Sequence, residues 1–99
     1  MNEELKVATI DHIAVQTSDI EKALHFYTEI LGAERLRQGQ FKKRDIALLK
    51  VGRITIELFS KRQGEHLQTW NDFYSGPVHI AFAVENLDTF LKEARKRGA

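Results

Sequence analysis

Residues 10–33, IDHIAVQTSDIEKALHFYTEILGA, decide the fold, and residues 78–99, VHIAFAVENLDTFLKEARKRGA, decide how it is organised. The first stretch opens inside a short β-branched run, Val7 to Val15 (VATIDHIAV), which predicts a strand. Thr17-Ser18-Asp19 follows, and Ser18 or Asp19 is placed to cap a helix beginning near Ile20. From there Ile20, Ala23, Leu24, Tyr27, Ile30 and Leu31 recur at helical spacing until Gly32 stops the element.

The second stretch repeats this pattern. His12-Ile13-Ala14 aligns with His79-Ile80-Ala81 at an offset of 67 positions, and Asp19 then meets Asn86, Ile20 meets Leu87 and Leu24 meets Leu91. Caps and apolar spacing are generic features of any strand-to-helix unit. A His-Ile-Ala in the same place in both strands is not, so an internal duplication is the better explanation. Between the copies, Phe41–Leu49 and Arg53–Phe59 read as strands with a hairpin at Val51-Gly52. Residues 61–76 (KRQGEHLQTWNDFYSG) read as a polar loop, Val78–Val84 as a further strand, and Leu87–Lys96 as a helix capped by Asn86 and closed by Gly98. The expected class is α+β in the order βαβββ, then βα. The expected organisation is one domain over 1–99, with a first module at about 7–60, a connecting loop at 61–77 and the start of a second module at 78–99.

Composition narrows the function classes. The chain has 99 residues, 42% hydrophobic and 29% charged, which describes a folding chain rather than a disordered one. Fifteen Lys and Arg against fourteen Asp and Glu leave a formal charge of +1, without the basic excess of a nucleic-acid surface. The absence of cysteine excludes disulfides, thiolate metal sites and a cysteine nucleophile. Apolar runs of four or five residues cannot span a bilayer, and Met-Asn-Glu-Glu-Leu-Lys carries no apolar signal core. A cytoplasmic protein without a nucleic-acid or membrane partner is the resulting expectation.

Strand alternation sorts the side chains. Ile13 and Val15, then Ile54, Ile56 and Leu58, then Ile80, Phe82 and Val84 form bulky apolar faces suited to packing under helices. The opposite faces carry His12, Glu57 and His79 among Ala14, Thr55, Ala81 and Ala83. Two imidazoles and a carboxylate are a suitable ligand set for one divalent ion, and nickel, cobalt, zinc, manganese and iron all accept it. His25, in the first helix, and His66, in the polar loop, are expected to be non-ligands.

In IDHIAVQTSDIEKALHFYTEILGAE, ITIELF and VHIAFAVENLDTFLKEARKRGA the chain resembles the vicinal oxygen chelate superfamily, the group of glyoxalase I, bleomycin-resistance proteins and extradiol dioxygenases. The resemblance implies paired βαβββ modules curled into a half-open barrel around a metal held by His12, Glu57 and His79. It implies a fourth, carboxylate ligand 67 positions beyond Glu57, outside this chain, whose second module is therefore expected to be incomplete. Either the chain is then a piece of a longer enzyme, or another chain supplies the missing strands, or water completes the three-ligand site; a homodimer or higher homo-oligomer is expected from the exposed edge. The implied activity is that of a metal-dependent lyase or isomerase of the lactoylglutathione lyase type, with Glu57 as ligand and catalytic base to a metal-bound enediolate. A methylmalonyl-CoA epimerase-like isomerase, a metal-free antibiotic-binding protein and an extradiol dioxygenase are the alternatives. Glutathione-using relatives are similar to one another in an Arg four residues after the first ligand and an Asn four after the Glu. Gln16 and Lys61 stand there, and with Trp70 of the loop they are the candidate substrate contacts.

Overall fold

The computed structural model describes residues 5–69, 71–77 and 79–99. Its elements are β1 (His12–Thr17), α1 (Ile20–His25) continued by a π-helical turn (Phe26–Ile30), β2 (Glu34–Phe41), β3 (Arg44–Val51), β4 (Ile54–Ser60) and α2 (Leu87–Lys96). The expected α+β class is observed.

The first helix starts and stops for the reasons its sequence suggests. Asp19 is extended, and its carboxylate accepts the Lys22 N–H at 3.1 Å, satisfying one of the orphan donors of the first turn. The last turn widens where the Thr28 hydroxyl donates to the Leu24 carbonyl at 2.7 Å. Gly32 then takes a φ of +72°, the left-handed conformation that lets Ala33 N–H reach the Tyr27 carbonyl at 2.8 Å and ends the element.

The four strands form one sheet in the order β1-β4-β3-β2. β1 runs parallel to β4, and the other two pairings are antiparallel. The β3–β4 hairpin turns at Gly52, as expected from Val51-Gly52. The β2–β3 hairpin turns at Lys42 and Lys43, both left-handed at φ of 50° and 66°. Such turns match the twist of the flanking strands but seldom use residues with a side chain. Arg62 helps to hold this one, its Nε donating to the Lys42 carbonyl at 2.9 Å.

Two expectations need correction. The module has a further strand, its second, β2 at Glu34–Phe41, and Phe41 ends that strand instead of opening the next. ERLRQGQF shows no apolar alternation because β2 is an edge strand exposed along its whole length. The strand expected at Val78–Val84 does not form over its described part: residues 79–84 join no ladder. Their β-branched and aromatic residues suit a strand, but a strand also needs a neighbour, and none of the four offers one. Val78 lies outside the described residues.

One face of the sheet holds the core. Ala47, Leu49, Ile56 and Leu58 are buried there against Leu24 of α1 and Ala33. Burying each large side chain contributes about 1.5–3 kcal/mol. The remainder is open. Accessible surface is 8540 Å², against about 5,800 Å² for a compact monomer of this mass. The radius of gyration is 16.1 Å, against about 13 Å for a compact chain of this length.

Candidate functional site

The face opposite the core forms an open trough, and the strand register shows what lines it. Directly paired residues point the same way, so rows run across the sheet. Ala14, Glu57, Leu48 and Arg37 make one row from β1 to β2. Gln16, Phe59, Ile46 and Gly39 make the next, and His12, Thr55, Lys50 and Glu34 the one before. His12 and Glu57 are therefore diagonal neighbours on adjacent strands, as alternation predicts. A cleft of about 420 Å³ lies over this surface, with Ile46, Leu48 and Phe59 as its apolar floor and Glu57 and Arg37 on its wall. That volume falls within the range of small-ligand sites.

His12 is oriented by its sequence neighbour. Its Nδ1 lies 2.8 Å from the Asp11 carboxylate, a pairing that places the proton on Nδ1 and leaves the Nε2 lone pair available. The Asp11 hydrogen bond raises the His12 pKa above its ordinary 6.5, with the charges of Asp11 and Glu57 adding to it; desolvation opposes the rise. Glu57 is half-buried and makes no hydrogen bond or salt bridge with a described residue.

The loop after β4 is tied to one end of the trough. Glu65, from the loop after β4, accepts from Gln16 Nε2 at 3.4 Å and from the Arg62 N–H at 2.6 Å, and pairs with Arg44 at 2.9 Å. The Arg44 guanidinium lies over the Phe59 ring, 5.9 Å from its centroid. The loop is thus fastened across the trough from β1 to β3.

The expected site residues divide into three groups. His12, Glu57 and Gln16 share the trough. His79 is exposed on a segment outside the sheet, and among the described residues no three His, Cys, Asp or Glu side chains are grouped to hold a metal ion. Lys61 is exposed just past β4, with its N–H bonded to the Thr17 carbonyl at 3.1 Å. Trp70 lies outside the described residues. Of the two histidines expected to be non-ligands, His25 Nε2 lies 3.3 Å from the Arg97 carbonyl, and His66 is exposed.

Arg37 was not among the candidates, because β2 was not legible as a strand. Counting back by twos from Phe41 would have found it. A bulge then takes its neighbour away from the trough: Arg37 pairs with trough-facing Leu48, Arg35 pairs with core-facing Leu49, and Leu36 is the extra residue between them.

This combination of a βαβββ sheet, an apolar core under one helix and a trough bearing His12 and Glu57 is the one expected from the sequence resemblance. The chain belongs to the Glyoxalase/Bleomycin resistance protein/Dioxygenase superfamily, whose profile matches residues 9–99. It is 33% identical over 93 residues to the uncharacterized protein YwkD of Bacillus subtilis, covering 91% of this chain and 72% of that one. The glyoxalase family protein of Enterococcus faecalis superposes with a TM-score of 0.76 at 27% identity, over 92% of this chain and 73% of the other. The fosfomycin resistance protein FosX of Listeria monocytogenes, crystallised with manganese(II) and sulfate, shares the fold. Its TM-score is 0.71 at 20% identity, over 94% of this chain and 74% of FosX. No helix among the described residues is long and apolar enough to cross a membrane.

Proposed function

We propose that the chain is a divalent-metal-dependent lyase or isomerase of the glyoxalase type, acting in the cytoplasm on a small molecule in the trough. The observation that carries this reading is the pairing of His12 and Glu57 on one face, beside an apolar cleft, with Asp11 holding the imidazole so that Nε2 is a free donor. The FosX complex with manganese(II) supports it at the level of the fold. His12 and Glu57 fit nickel, cobalt, zinc, manganese or iron in kind, but two donors are too few. On this reading the third is the partner subunit's His79 in a homo-oligomer. The open surface of the chain, well beyond that of a compact monomer, agrees with such an assembly.

A bound divalent ion would supply Lewis acidity to two adjacent substrate oxygens and hold developing negative charge. The chain's own residues do the rest. Glu57 accepts the proton from the neighbouring carbon, Asp11 keeps His12 in one tautomer, and Ile46, Leu48 and Phe59 keep water from the apolar part of the substrate. A second reading, a metal-free small-molecule binding protein, is favoured by the separation of His79 from His12 and Glu57 within one chain.

Elemental analysis of tag-free protein decides between them. The first reading expects about one divalent ion per site, lost in His12→Ala/His79→Ala and in Glu57→Gln, followed by turnover of 2-oxoaldehyde hemithioacetals or methylmalonyl-CoA. No metal in wild type after incubation with excess Ni²⁺, Co²⁺, Zn²⁺ and Mn²⁺ would leave the binding protein as the function.

A further inference from the structure

The geometry points to a ligand with two unlike ends, an oxygen-bearing end at Glu57 and an anionic group at Arg37, joined by an apolar body over Leu48, Ile46 and Phe59. Arg37 is the specificity residue for that anion. The inference deepens the proposed function and rests on the same trough being the ligand site.

Arg44 is already engaged by Glu65 at 2.9 Å. Lys50 stands directly across the ladder from Glu34, its opposite charge. Arg37 is exposed and has no hydrogen bond or ion pair with a described residue, while it lines the cleft together with Glu57. Leu48 separates the two in the row. Two strand spacings put the Arg37 and Glu57 backbones about 10 Å apart, the reach of a small molecule with distinguishable ends.

Charge then sorts the ends. A carboxylate beside Glu57 meets a like charge, whereas beside Arg37 it meets a planar fork of donors matched to two oxygens. The strand is built to present one arginine there and not two. Had the pairing continued without the bulge, Arg35 would have followed Arg37 onto the trough face. The extra residue turns Arg35 into the row of Leu49, where its guanidinium donates to Gln38 Oε1 at 3.1 Å. Gly39 opposite Ile46 carries no side chain, and the space where a Cβ would sit is open, leaving room next to Arg37.

The probes are 4-phenylbutyrate and its neutral amide, titrated calorimetrically into chelator-treated full-length chain so that no metal can hold the carboxylate. Wild type is expected to bind the carboxylate about two- to fivefold more tightly than the amide, the range for an exposed charge contact. Arg37→Gln brings that ratio to about one, Arg37→Lys keeps part of it, and Arg35→Gln, the same charge change on the other face, leaves it as in wild type. Circular dichroism confirms that each variant is folded. The proposal is overturned if Arg37→Gln keeps the wild-type ratio, if Arg35→Gln lowers it equally, or if neither probe binds at millimolar concentration. The metal analysis separates this outcome from that of the proposed function. A ratio that follows Arg37 in a chain that takes no metal leaves the anion site standing without the enzyme. A bound metal with a ratio indifferent to Arg37 does the reverse.

Discussion

The two strand-to-helix units share a sequence pattern, yet among the described residues only one of them has a strand. Both helices are capped in the same way: the Asp19 carboxylate accepts the Lys22 N–H at 3.1 Å and the Asn86 side-chain carbonyl accepts the Thr89 N–H at 3.0 Å. Capping is local chemistry and needs nothing from the rest of the chain. The strands differ because pairing is not local. His12–Thr17 lies along β4 and turns Val15 toward the core, while His79-Ile80-Ala81, with the same side chains, has no ladder and leaves Ile80, Phe82 and Val84 exposed. The comparison teaches that a strand is defined by its neighbour and a helix end by itself.

The comparison breaks most easily at the packing beneath each unit. Leu58 is fully buried under α1, so Leu58→Ala should cost about 2–5 kcal/mol in a denaturant titration. Phe82→Ala should cost about 1 kcal/mol, since its ring is 39% exposed and its aromatic contact is a single edge-on approach to Tyr27 at 6.5 Å. Equal losses would mean that both units are packed to the same degree.

Capping sharpens the same contrast with a smaller effect. Asp19→Ala should lower global stability by about 1 kcal/mol, because α1 carries Leu24 into the core. Asn86→Ala removes an equivalent bond, but only Ala94 of α2 is buried. Its loss should appear as local fraying in amide exchange, with little change in the unfolding midpoint.

The smallest effect is electrostatic. A proton NMR titration should place the His12 midpoint above 6.5, and Asp11→Asn should bring it down, since the Asp11 hydrogen bond is the main cause of the rise. A raised pKa in the folded chain favours folding with the proton on. That contribution is present below the ordinary histidine pKa and fades as pH rises through the folded midpoint. A midpoint at or below 6.5 in wild type would separate His12 from both carboxylates.

Legibility followed the same division between local and non-local. The turn at Gly52, the stop at Gly32 and the Asp19 cap are set within a few residues, and the sequence shows each of them. The shared face of His12 and Glu57 was also readable, since alternation within β1 and β4 is undisturbed. Glu34–Phe41 was not, because an exposed edge strand has no apolar side to display and its turn uses Lys42-Lys43 in place of the usual glycine or asparagine. Arg37 was hidden with it, although it lies in regular phase with Phe41; the change of phase at Leu36 affects Arg35 alone. The fate of residues 79–84 was out of reach for the opposite reason: the local pattern is strand-like, and only the sheet determines whether it is used.

The fastening of Glu65 to Gln16 and Arg44 has a consequence for traffic. It sets a fixed rail at the Phe59 end of a trough whose face is otherwise open. Loosening the rail with Glu65→Gln should free the loop at that end, recorded as faster dissociation of a bound probe; an unchanged rate would mean that the loop does not hold the ligand.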